Sequence, residues 1–121
     1  METSILDTIK QMLGIEKECT AFDPEIIVHI NSAFMLLAQL GVGNSSFYVT
    51  GSNETWNEFF GSSYDYEAAK TYMYLKVRLA FDPPSNSFVV DSMERQCSEY
   101  EWRLYANAET LNNSDGDQKG R

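Results

Sequence analysis

The chain has 121 residues, 43% hydrophobic and 13% aromatic, with 18 acidic against 9 basic side chains and a net charge of −9. This is the length of one domain, able to bury roughly two-thirds of its unfolded surface, and the apolar content excludes wholesale disorder. The acidic excess argues against gripping nucleic-acid phosphates or an anionic membrane surface, since Lys and Arg supply that grip.

No apolar run approaches the roughly 20 residues of a membrane span. The opening METSILDTIK puts acid before base and lacks the cationic start of a secretory leader. Cys19 and Cys97 stand far apart, with no CxxC and no histidine cluster, and read as free thiols of a reducing cytoplasm.

A first helix is predicted over residues 4–13. Ser4 is its cap, and Ile5, Ile9, Met12 and Leu13 fall on one face. Gly14 ends it, and a linker follows to Phe22. The second helix has the clearest start in the chain. Asp23 reads as N-cap, Pro24 suits the first turn, and Glu25 favours the positive end of the helix dipole. Ile27, Ile30, Phe34 and Leu37 recur at spacings of three and four, and Gly41 supplies a left-handed stop after Leu40.

Residues 44–53 are rich in Gly, Ser and Asn, and residues 47–50 form a short extended run, read as a hairpin edge or a docked loop. A short helix is expected over 54–60, capped by Asn53 and burying Trp56, Phe59 and Phe60. The fourth helix, 65–81, carries two apolar stripes: Ala68, Tyr72, Leu75, Leu79 and Ala69, Met73, Val77, Ala80. A helix apolar nearly all round packs on several neighbours, which places it at the centre of the fold. Asp82-Pro83-Pro84 terminates it.

The fifth helix starts near residues 85–87 and is expected to reach Ala106. Its inward stripe is Val89, Met93, Gln96 or Cys97, Tyr100 and Leu104, with Glu94, Arg95 and Glu101 off it. Trp102 and Tyr105 project to another side, a second contact surface. The expected fold is a small all-α bundle of four to five helices over residues 1–106, followed by a polar tail, 107–121, disordered in isolation.

Residues with chemical potential find no partners in the sequence. His29 is the single histidine, with no second ligand or triad spacing beside it. Glu54 and Glu58 stand at i, i+4 on a solvated face; Glu99 and Glu101 point to different sides. Cys19 lies beside Glu18, a setting that disfavours the thiolate, and Cys97 belongs to an apolar stripe. Gly41-x-Gly43 lacks the preceding strand and the Lys of a phosphate loop. Tyr64, Tyr66, Tyr72 and Tyr74 lack the interleaved cations of a nucleic-acid platform and read as core or interface. No catalytic, cofactor or metal site emerges. What remains is a surplus of aromatic and Met residues and a two-sided C-terminal helix, features of a protein that works by contact with other proteins.

The segments FDPEIIVHINSAFMLLAQLGVG (22–43) and EAAKTYMYLKVRLAFDPPSNSFVVDSMERQCSEYEWRL (67–104) resemble the head–tail connector (adaptor, or head-completion) proteins of tailed phages and prophages of Gram-positive bacteria. The TYMYLKVRLAFDPP run and the ERQ…EWRL ending are the most specific parts. The resemblance covers nearly the whole chain up to Leu104, and does not rest on the loop 44–63 or the tail after Tyr105.

The resemblance implies a small all-α bundle with no catalytic residues, no cofactor and no membrane association. It implies copies assembled as a ring beneath the portal protein after DNA packaging, extending the exit channel and presenting a platform for the next neck or stopper protein. The location implied is the virion neck, reached from the host cytoplasm during assembly. By position, the portal-gripping segment maps onto Trp102, Arg103, Tyr105 and Leu111. DNA would pass through such a ring without specific binding, because an acidic lining repels phosphate and lets the duplex slide. Identical subunits joined head to tail need two different patches. Other readings of the sequence are a different neck or tail-completion protein, which would be richer in strands, and an acidic regulator that mimics DNA. Least favoured is a small enzyme.

Overall fold

The computed structural model describes residues 4–42, 47–60 and 66–120, and the side chains of all of these except 60, 66 and 107–120. Five helices follow in order: α1 (Ile5–Leu13), α2 (Asp23–Gln39), α3 (Trp56–Phe60), α4 (Tyr66–Phe81) and α5 (Ser87–Gly120). The expected all-α bundle is the observed one. Among the described residues there is no strand, only a single bridge between Ser4 and Thr55.

The apolar stripes explain the layering. α4 packs on α1, α2 and α5, and Ala68, Ala69, Tyr72, Met73, Leu75 and Val77 are all buried on it. A helix of 16 residues with inward side chains around most of its circumference has to be covered on several sides. α5 covers one flank with Met93, Cys97 and Leu104. α1 and α2 cover the other with Ile5, Ile9, Ile26, Ile30 and Leu37.

The helix ends differ in part from the sequence reading. Ser4 caps α1, its Oγ accepting from the Asp7 amide at 3.2 Å. Gly14, at φ 82°, and Gly41, at φ 87°, make the left-handed stops that only glycine adopts without strain. Phe22, not Asp23, occupies the N-cap of α2, and no side chain caps that helix. Asp23 lies inside the first turn because its carboxylate is drawn instead to Lys10, at 2.9 Å.

Lys10 itself is buried, at 1% exposure, although the α1 pattern turns a lysine at this position towards solvent. Its ammonium donates to the carbonyls of Lys17 (3.0 Å) and Cys19 (2.7 Å), which, with the ion pair to Asp23, compensates the buried charge. Met12, expected on the buried face, is exposed. The face of α1 is therefore rotated towards Leu6 and Lys10, and the 14–22 linker is strapped down by one cation.

Thr55, not Asn53, caps α3. The Thr55 amide donates to Glu58 Oε1 at 2.8 Å and the Glu58 amide to Thr55 Oγ1 at 3.3 Å, a reciprocal capping box. Residues 47–50 are a docked loop and not half of a hairpin. Asn31 on α2 receives the Val49 amide at 2.7 Å and donates to the Val49 carbonyl at 2.9 Å. The loop lowers Phe47 onto Phe34 and Phe59, ring centroids 5.3 and 5.4 Å apart, and Trp56 completes the cluster against Phe34 at 6.3 Å. Trp56 Nε1 donates to Thr8 Oγ1 at 3.2 Å, tying α3 to α1.

α5 starts at the expected place. Asn86 Oδ1 accepts from the amides of Phe88 (2.8 Å) and Val89 (3.3 Å). Val89, expected in the inward stripe, is exposed, and the first buried side chain on α5 is Met93, one turn further on. The backbone of α5 continues past Ala106 to Gly120, where the sequence reading placed a tail. No proline interrupts this stretch, and extending a formed helix is far easier than starting one.

Candidate interaction surface

α5 turns Met93, Cys97 and Leu104 inward, and large side chains away from this stripe remain exposed. Phe88 is 83% exposed and Trp102 69%, and Tyr105 is also exposed. Positions 88, 95 and 102 recur at intervals of seven, nearly two helical turns, and so lie along one line. Arg103 leaves this line and lies over the Tyr100 ring at 5.4 Å.

Three of the four predicted interface residues, Trp102, Arg103 and Tyr105, are thus brought to the outer surface of one helix. Leu111 lies on the backbone of the same helix, and its side chain falls outside the described residues. Further exposed hydrophobics are Val28 and Met35 on α2 and Tyr48 on the docked loop. Isolated apolar residues are ordinary on a surface, but an aromatic pair on one helix line is a contact feature.

The inner side of α5 holds a polar contact that the sequence pattern did not reveal. Tyr72, fully buried on α4, donates its hydroxyl to Glu101 Oε2 at 2.7 Å. Burial, reinforced by the Glu101 carboxylate, pushes the Tyr72 phenol well above its usual value, so it stays neutral. Glu101 is therefore half-buried and structural, where its spacing had put it off the packed stripe. The signal available in the sequence was its i+4 placement after Cys97, next to that stripe.

Burial likewise raises the Cys97 thiol; Lys76 lowers it, while Glu101 and Glu94 add to the rise. A neutral, enclosed thiol is a poor nucleophile. Cys19 is free and exposed.

The remaining candidates resolve individually. His29 stands 3.9 Å from Glu25 one turn away on α2, a surface pair. Glu54 and Glu58 do not form one acidic face. Glu58 closes the capping box, and Glu54 accepts from Thr50 Oγ1 at 2.7 Å and the Gly51 amide at 3.3 Å. Partial burial alone would raise the Glu54 pKa. The hydrogen bonds from Thr50 and Gly51 outweigh it and hold the carboxyl below its ordinary value. Tyr74 is half-buried and faces the Arg78 guanidinium at 3.4 Å. Tyr64, Gly43 and the Tyr66 side chain lie outside the described residues. Among the described residues, no group of three His, Cys, Asp or Glu is placed to hold a metal ion.

Residues 5–110 match the phage connector protein family. The chain belongs to that family. The match runs from the first residue of α1 to beyond Leu104 and Tyr105, and so includes the whole packed bundle and the outer face of α5. No curated protein and no solved structure matches the chain. The connector is thus a phage neck component that acts among other head and neck proteins of the virion. Among its described residues, no helix is long and apolar enough to cross a membrane.

Proposed function

We propose that the connector assembles as a ring that docks beneath the portal once DNA is packaged. The ring extends the exit channel and presents a platform for a stopper or other neck protein. The observation that carries this reading is the family match over residues 5–110. The outer face of α5 supports it with the exposed Trp102, Arg103 and Tyr105, a cation between two aromatics of the kind enriched at protein interfaces. These residues, with Leu111 further along the helix, contact the portal. The role needs no chemical step: the protein is not an enzyme, and it works without a cofactor. Assembly takes place in the host cytoplasm and ends in the virion neck. The net charge of −9 keeps DNA sliding through the channel without specific binding.

The test is capture of the purified full chain by assembled portal. We expect a stoichiometric complex, and at least tenfold weaker capture when Trp102→Ala and Tyr105→Ala are combined. A folded chain that does not bind portal, or a double variant that binds as the parent does, would sink the reading or its assignment to α5 respectively.

A further inference from the structure

At the end of the bundle where α1 stops and α2 begins lies a notch of about 410 Å³. Leu13, Ile15, Phe22 and Phe81 give it an apolar floor, and Glu25 and Asp82 stand at its rim. Phe22 and Phe81 meet edge to face at 5.5 Å, and Phe22 remains exposed. Among the described residues the Asp82 carboxylate has no ion pair, and Glu25 has only the His29 imidazole, at 3.9 Å. An apolar hole with two under-used carboxylates suits an apolar side chain that has a cation beside it.

Such a group stands on α5, which begins just after the turn that follows Asp82. Phe88 is the most exposed of the large hydrophobic residues, at 83%. Arg95 follows on the same line of α5, about 10 Å away. Asp91 and Glu99 flank Arg95 at i−4 and i+4, yet neither forms an ion pair with it. Among the exposed cations described, Lys17 has Asp7 at 3.9 Å and Arg103 has the Tyr100 ring, while Arg95 has no partner within the chain.

We propose that the notch at Phe22 and Phe81 receives α5 of a second copy of this chain, with Phe88 filling the apolar floor and Arg95 pairing with Glu25 and Asp82. This rests on the ring reading above and assigns its subunit contact. Plug and socket are made of different residues, as a head-to-tail assembly requires. Charge supports a second copy as the occupant. Chains of −9 repel one another, so their contact has to fall where a free cation meets carboxylates. The portal-facing residues lie further along α5 and are left open.

Arg95→Glu, and Glu25→Lys combined with Asp82→Lys, test the contact. All three positions are on the surface, and melting followed by circular dichroism verifies that each variant folds. By light scattering over a concentration series, the parent chain is expected to form a discrete oligomer. Each charge reversal should raise the concentration needed for association at least tenfold. Combining all three substitutions, which restores complementarity with reversed signs, should recover most of the loss. Phe88→Ser should weaken association comparably. An oligomer indifferent to these changes, no recovery in the combined variant, or a parent chain monomeric at every concentration would each overturn the inference. Portal capture is read separately: a monomeric chain that still binds portal removes this contact and leaves portal docking standing. An intact, charge-sensitive oligomer that ignores portal does the reverse.

Discussion

Lys10 is the residue on which the α1–α2 connection depends. Its ammonium hydrogen-bonds two carbonyls and pairs with the Asp23 carboxylate from a site almost closed to water. Lys10→Ala leaves the two carbonyls without their donor and the Asp23 carboxylate without its counter-charge. A fully enclosed pair broken this way costs about 3–5 kcal/mol. Asp23 keeps 21% of its side chain exposed, although the Oδ1 facing Lys10 is itself buried, so the expected loss is about 3 kcal/mol, measured by urea denaturation. Glu54 makes a different prediction, read in pH. Its folded pKa lies below the ordinary 4.5, so the unfolded chain takes up the proton first on acidification. The stability it contributes is present above that ordinary value and fades as pH falls towards the lowered folded one. The difference between the parent chain and Glu54→Gln should therefore be constant near neutrality and shrink below about pH 4. A difference that grew on acidification would contradict the assignment.

At the scale of elements, the 47–50 loop is held by one side chain. Asn31 supplies both an acceptor and a donor to Val49, as a neighbouring strand would. Asn31→Ala should cost about 2 kcal/mol, the sum of two lost bonds to a buried partner. It should also speed hydrogen exchange at the Val49 amide well before it affects α4. If that amide exchanged no faster, Asn31 would not be the clamp. α4 is the element that every layer shares. Met73 is fully buried on it, so Met73→Ala should lower stability by about 3 kcal/mol through lost contact and a residual cavity. The same variant should show a single urea transition, because no layer retains its covering once α4 loosens.

For the whole molecule, the boundary of the packed unit follows from burial. Leu104 is the last buried hydrophobic side chain described. If the packed unit ends at Leu104, a chain ending at Ala106 should melt within about a degree of the full chain, because removing residues outside the core changes ΔG little. A drop of several degrees would mean that the remainder of α5 folds back on the bundle. Portal capture by the same truncated chain separates the packing role of α5 from the contact role proposed for Leu111.

The sequence by itself determined the helical class, the central place of α4, the glycine stops at Gly14 and Gly41 and the start of α5. Each of these follows from local rules: apolar period, a residue that tolerates positive φ, or a proline that cannot continue a helix. It also placed Trp102 and Tyr105 off the packed stripe of α5. Only the tertiary structure decided what happens where a polar side chain meets a partner distant in the chain. Lys10 turns inward because the linker carbonyls and Asp23 come to it. Asp23 leaves its capping role for that same ion pair, and Glu101 joins the interior because Tyr72 on another helix needs an acceptor. The notch of Phe22 and Phe81 is built from segments nearly sixty residues apart, Phe22 and Phe81 being residues 22 and 81. Periodicity records which face of a helix is apolar. It holds no information about which distant group will satisfy a buried charge, because that depends on how the helices close on one another.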